Sequence, residues 1–130
     1  MLWSALPGAS RHHWGTDFDV YDHTAVQAQN HSLALVPSEY EDGGPCEAMS
    51  KWIVQNAANF GFYLPYAKYV GGVAREPWHL SYKELATSIQ KSFVIDELYS
   101  QLEQADILGK ELILKQLPGL VKQYTFNLGA

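Results

Sequence analysis

Apolar and polar residues alternate from Gly15 to Tyr21, with Thr16, Phe18 and Val20 set against Asp17, Asp19 and Tyr21. A period of two predicts a strand, with Asp17, Asp19 and Tyr21 on one face and Phe18 and Val20 on the other. Residues 22–31 are polar and read as loop or a short turn. The short apolar run 32–36, closed by Pro37, is compatible with a second strand. An acidic, glycine-rich connection over 38–45 leads into a helix from near Cys46 to about Phe60. There Met49, Trp52, Ile53, Ala57 and Phe60 recur at spacings of three and four and predict one buried stripe. Gly61 suits the position just past that helix. Residues 62–66 are aromatic and extended up to Pro65, and Gly71-Gly72 marks a turn or a bulged strand over 69–73. From residue 81 the period becomes helical. Ser81-x-x-Glu84 reads as a capping box ahead of Leu85, Ala86 and Ile89. A second helix is predicted over 93–104 with Val94, Leu98 and Leu102 on one side. A third is capped by Asp106, carries Leu112, Ile113 and Leu117, and ends at Pro118-Gly119. Residues 120–128 are ambiguous.

Strands first and helices later predict an α+β fold: a small antiparallel sheet packed by helices, with a helical C-terminal part. The 130 residues suffice for a single domain, in which 1–82 would form the core of a site and 83–130 the C-terminal helices. Residues 1–9 read as loop, ended by Pro7-Gly8.

Composition narrows the chemistry. A 47% hydrophobic share with 13% aromatic residues fits a folded protein. The net charge is -5 and the basic residues form no stripe, which argues against a nucleic-acid partner. No apolar run reaches the ~18–20 residues of a membrane span. The N-terminus has no charged, apolar export signal. Cys46 is the sole cysteine, so neither an internal disulfide nor a thiolate zinc cluster can form.

The chemistry-bearing residues concentrate in two segments. Residues 10–19 hold His12, His13, Asp17 and Asp19 around Gly15, and residues 75–79 hold Arg75, Glu76 and His79. A catalytic zinc takes three protein ligands and leaves a position for water. His12 and Asp19, seven apart, suit a loop running into a strand, with Gly15 allowing a sharp turn. His79 is the third ligand. Glu76, three residues earlier, is placed to take a proton from water and pass it to a leaving amine. Arg11 and Arg75 are the chain's two arginines and lie one in each segment, which points to recognition of an anionic group. His13, His23 and His31 read as solvated surface, and Asp17 and Asp22 either as support for the ligands or as polar surface.

Ser10-x-His12-x-x-Gly15-x-x-x-Asp19 resembles the first zinc motif of the LAS metallopeptidases, which are D-alanyl-D-alanine carboxypeptidases, dipeptidases and related cell-wall endopeptidases. Glu76-Pro77-Trp78-His79-x-x-Tyr82 resembles their second motif in its VanY-like carboxypeptidase branch. Trp52, Asn56-Ala57 and Phe60-Gly61-Phe62 resemble the helix joining the two. The likeness runs from about Trp3 to the region of Tyr82, and more loosely through the C-terminal helices. It implies zinc on His12, Asp19 and His79, Glu76 as catalytic base, and Ser10 beside the substrate. The implied partner is a peptidoglycan stem peptide in the bacterial periplasm or cell envelope, with removal of a terminal D-alanine as the reaction. An endopeptidase, or a non-catalytic zinc- or wall-binding remnant, stands as the alternative. Two departures stand out. Asp17 occupies a position that is often alanine in the family, and the family's N-terminal region, with its oxyanion-stabilising arginine, is almost wholly missing. The chain is therefore expected to be N-terminally truncated and to self-associate.

Overall fold

A computed structural model describes residues 5–130; the start of the segment expected as loop, with Trp3, lies outside the described residues. The predicted α+β architecture is present: three antiparallel strands in one sheet, with five α-helices among the described residues. The alternating stretch forms β1 (Asp17–Asp19). The other strands are β2 (Phe62–Tyr63) and β3 (His79–Tyr82), and the order is β1-β3-β2. Asp17 pairs with Ser81, Phe18 with Leu80 and Asp19 with His79. On the other side Phe62 pairs with Tyr82 and Tyr63 with Ser81. Because strand side chains alternate, this register gathers Asp17, Asp19, Tyr63, His79 and Ser81 on one face. The apolar face is the more open one. Phe18 is half exposed there, with edge-on contacts running from Phe18 to Phe62 and from Phe62 to Tyr82.

The polar stretch 22–31, read as loop or turn, contains a short helix, α1 (His23–Ala28). The Asp22 carboxylate accepts from the Ala25 amide, satisfying one of the free donors of the first turn. Residues 32–36 form no strand. Their amides at Ala34 and Val36 instead donate to the buried Glu39 carboxylate, which also meets His31 at 2.6 Å. Residues 69–73 likewise form no strand.

The next helix, α2 (Glu47–Asn56), continues as a 3₁₀ turn (Ala57–Phe60). The predicted five-residue stripe is only partly buried. Ile53 is buried and Met49 packs against the cluster of Tyr40, Cys46 and Trp78, but Trp52 and Phe60 are 54% and 62% exposed and stack on each other. Trp52 and Ile53 are a helical step of about 100° apart and cannot both face the core, and the 3₁₀ turn rotates Phe60 away from the stripe. Gly61 adopts φ +81°, and a Cβ there would stand 2.8 Å from the Tyr82 ring, so both backbone and space require glycine.

The remaining helices are α3 (Lys83–Ser92), α4 (Ile95–Gln104) and α5 (Lys110–Tyr124). Ser81 is not the cap of α3. It lies in β3, fully buried, with its hydroxyl bound to Asp17. Asp106 does not cap α5 either, because Gly109 holds that position with φ +71°. Nor does α5 stop at Pro118. The proline lacks an amide to donate, a loss of order ~3 kcal/mol, but Leu117 and Val121 on either side of it are both buried in the same apolar cluster. That cluster joins Leu6 and Ala9 to Leu98, Leu102, Leu117 and Val121. Val94 and Leu112, predicted on inward faces, are exposed. A smaller cluster of Val26, Tyr40, Cys46 and Trp78 lies under the second motif. No helix among the described residues is long and apolar enough to cross a membrane.

Candidate metal centre

The first motif begins as a 3₁₀ turn (Arg11–Trp14) ended by Gly15 at φ +72°, whose amide donates to the His12 carbonyl. That reversal brings His12 back over β1. The second motif is a continuously buried run, residues 76–81, entering β3. Its start is pinned where the Glu76 amide donates to the Tyr66 carbonyl. Trp78 packs against Tyr40 with ring centres 5.5 Å apart, and the Val20 amide donates to the Trp78 carbonyl. The cross-strand pairing of Asp19 with His79 then sets the two motifs face to face.

His12, Asp19 and His79 are thereby brought together, each offering a ligand atom within 4.8 Å of the others. His12 Nε2 lies 3.7 Å from Asp19 Oδ1, and His79 Nδ1 lies 3.5 Å from the same oxygen. A tetrahedral zinc site with ligands at about 2.0–2.1 Å has edges of about 3.3 Å, so small closures bring the set onto one ion. Two imidazoles and a carboxylate are also a normal donor set for zinc, and the residues fit the metal on both counts. Glu76 Oε2 stands 3.1 Å from His79 Nδ1, on the metal-facing side of that ring. These four residues line one cleft of about 450 Å³, with Ser10 at its edge and Leu35, Val36 and Val73 among its apolar walls.

Asp17 is the residue that sequence reasoning left undecided, and it is buried at the centre of the polar face. Its Oδ2 accepts from Arg11 Nε at 2.9 Å and meets His79 Nε2 at 2.8 Å. Its Oδ1 accepts from the Thr16 and Ser81 hydroxyls at 2.8 and 2.7 Å. Four partners occupy the four acceptor positions of a carboxylate. Burial alone would raise its pKa, but His79, Arg11 and the two hydroxyls together outweigh that and hold it well below the usual carboxylate range. His79 responds in the opposite sense. Burial would lower its pKa, and the hydrogen bonds to Asp17 and Glu76 raise it instead. The Tyr66 ring meets His79 edge-on at 4.8 Å, and burial raises the pKa of its phenol.

The two arginines are placed very differently. Arg11 is 1% exposed, and besides Asp17 it donates to Gln90, Tyr63 and Ser81. Arg75 is partly exposed and paired with Glu41, outside the lining of the cleft. Asp22 caps α1, His31 pairs with Glu39, and His13 and His23 are exposed. Cys46 is fully buried. Gln90, Tyr63 and Tyr66 carry no motif signal in the sequence. Asp17 did carry one, the strand period, which puts it on the face of Asp19, whereas the signal at Ser81 was that of a helix cap.

The family model for VanY, D-alanyl-D-alanine carboxypeptidase, matches residues 1–85, which include both motifs. This chain belongs to the VanY family. Its relatives include an uncharacterized protein of Haemophilus influenzae, 35% identical over 121 residues that cover 92% of each chain. No solved structure matches with significance. Membership supports a peptidase of the D-alanyl-D-alanine carboxypeptidase type, in a family that is typically metal-dependent.

Proposed function

We propose that the protein is a zinc-dependent carboxypeptidase that removes terminal D-alanine from peptidoglycan stem peptides in the bacterial cell envelope. The observation that carries this reading is the convergence of His12, Asp19 and His79 in one cleft, with the Glu76 carboxylate 3.1 Å from His79. When bound there, zinc supplies Lewis-acid activation of water and polarisation of the scissile carbonyl. Glu76 takes a proton from the attacking water as the new C–O bond forms. It returns that proton to the amide nitrogen as the C–N bond breaks, so that D-alanine leaves as a free amine. Leu35, Val36 and Val73 give the cleft apolar walls beside the proposed metal ligands.

Ser10 lines the cleft and is the candidate for contact with the substrate. Arg11 and Arg75 are the candidates for its terminal carboxylate. Arg11 would act while still bound to its partners inside the protein, and Arg75 only after leaving Glu41. That engagement of Arg11 favours a second reading, a zinc-binding domain without turnover, because it is the one guanidinium among the described residues lining the cleft. Loss of an oxyanion donor costs ~10²–10³ in rate.

The deciding measurement is zinc content of wild type and His79→Ala, alongside D-alanine release from a stem pentapeptide. One zinc per chain that is lost in the variant, with D-alanine released by the wild type, supports the carboxypeptidase. Zinc without release supports the second reading, and no zinc overturns both. Glu76→Gln is expected to keep the metal and lose at least ~10²-fold in turnover. Cleavage of cross-linked muropeptide in preference to pentapeptide would identify an endopeptidase instead. Light scattering across concentrations tests the proposed self-association.

A further inference from the structure

An imidazole presents a lone pair to a metal from one nitrogen only while its proton sits on the other. The two histidines of the centre face Asp19 through different nitrogens, His12 through Nε2 and His79 through Nδ1. Each therefore needs an acceptor at its far nitrogen. His12 Nδ1 lies 3.1 Å from the backbone carbonyl of Asp17, and His79 Nε2 lies 2.8 Å from the side-chain carboxylate of the same residue. A carbonyl oxygen can only accept, so the far nitrogen of His12 carries the proton. His79 meets an acceptor at each nitrogen, Glu76 Oε2 at 3.1 Å from Nδ1 and Asp17 Oδ2 at 2.8 Å from Nε2, and the nearer Asp17 holds the proton on the far nitrogen when Nδ1 presents its lone pair.

We propose that Asp17 is the positioning residue of the metal centre, setting both imidazoles for a divalent cation. It fixes His12 through its main chain and His79 through its side chain. The carboxylate is held in place by Arg11, Thr16 and Ser81, which leave it no freedom to turn towards the metal side. A third carboxylate so near the ligands is thus committed to orienting them. Ser81, opposite Asp17 in the strand register, also accepts from Arg11 Nη2 at 3.0 Å and closes the ring of contacts. Acceptors of this kind fix ring orientation and raise ligand basicity, and losing one typically weakens metal binding 10–100-fold.

The inference rests on the metal site proposed above, and the test separates the two. Zinc affinity is measured by competition with a chromophoric chelator for wild type and Asp17→Asn. Ring-nitrogen NMR of the metal-stripped chains is recorded at a pH where both imidazoles are neutral. The wild type is expected to show His12 with its proton on Nδ1 and His79 with its proton on Nε2. In Asp17→Asn, the His79 proton is expected to shift towards Nδ1, which faces Glu76 at 3.1 Å, while His12, held by a carbonyl that remains, is unchanged. Zinc affinity is expected to fall about 10–100-fold. Unchanged affinity with an unchanged His79 tautomer would overturn the proposal. A wild type that binds no zinc would overturn the metal site itself, whatever the tautomers. Should Asp17→Asn fail to fold with Arg11 stranded, the double variant Arg11→Met/Asp17→Leu removes both buried charges together. The same loss of affinity is expected there, and full zinc affinity would overturn the proposal.

Discussion

The two sides of this molecule are held by opposite means. Behind the sheet, Arg11, Asp17, His79 and Ser81 are all at most 6% exposed and joined by charge-assisted hydrogen bonds. Between α4 and α5, Leu98, Leu102, Leu117 and Val121 are likewise buried, at most 8% exposed, and wholly apolar. Apolar burial is tolerant, since its strength follows area and fit. A buried polar network is not, because removing one member leaves the others desolvated and unpaired. The site is built on the intolerant side, where geometry is specified bond by bond. The helical side contributes mass and anchoring, including the buried Thr125 hydroxyl that donates to the Ala9 carbonyl just ahead of the first motif.

The largest effect is expected at Arg11. Arg11→Met should leave Asp17 buried without its cation and cost about 3–5 kcal/mol, read by urea unfolding at pH 7. Adding Asp17→Leu should recover a large part of that, and a double variant as unstable as the sum of its singles would break the contrast. Next comes Leu117→Ala, expected to cost about 2–5 kcal/mol with zinc content unchanged. Loss of zinc in that variant would show that the two sides are not separable.

Acid sharpens the comparison further. The folded-state pKa of Asp17 is held below its unfolded value, so its contribution is present above about pH 4 and is lost as pH falls. Asp17→Asn should flatten the acid limb of the stability curve, whereas Leu117→Ala should lower the curve without changing its shape. Parallel curves for all three proteins would break the contrast. The smallest effect belongs to Arg75. Its partly exposed pair with Glu41 should be worth about 0–1 kcal/mol, so Arg75→Ala should barely move the midpoint. A rise in KM without loss of stability would identify Arg75 as a substrate contact.

The same contrast explains what the sequence disclosed. Apolar spacing located α4 and the body of α5, because Leu98, Leu102 and Leu117 are buried for the reason the pattern assumes. It misjudged Trp52, Phe60 and Leu112, which have the right spacing but lie on exposed faces, Trp52 and Phe60 stacking on each other. The end of α5 was hidden because proline's local penalty is outweighed by packing that no local rule sees. On the sheet, alternation placed Asp17 and Asp19 on one face but could not say that this polar face is the buried one. Ser81 satisfied a capping pattern while cross-strand pairing claimed it for Asp17. Motif spacing put His12, Asp19, Glu76 and His79 together in prospect, and the strand register does so in the fold. Besides Asp17, the partners of Arg11 come from β2, β3 and α3, up to 79 positions away, where no local pattern reaches.

Cys46, wholly enclosed against Trp78 and accepting a long contact from the Asp22 amide at 3.4 Å, gives the protein a built-in reporter. A thiol-reactive dye can reach it only when the small cluster beneath the second motif parts. The chain has no other cysteine, so each labelling event has a single origin. The labelling rate of the native protein therefore measures how often the support of His79 breathes, with no substitution needed to make the measurement.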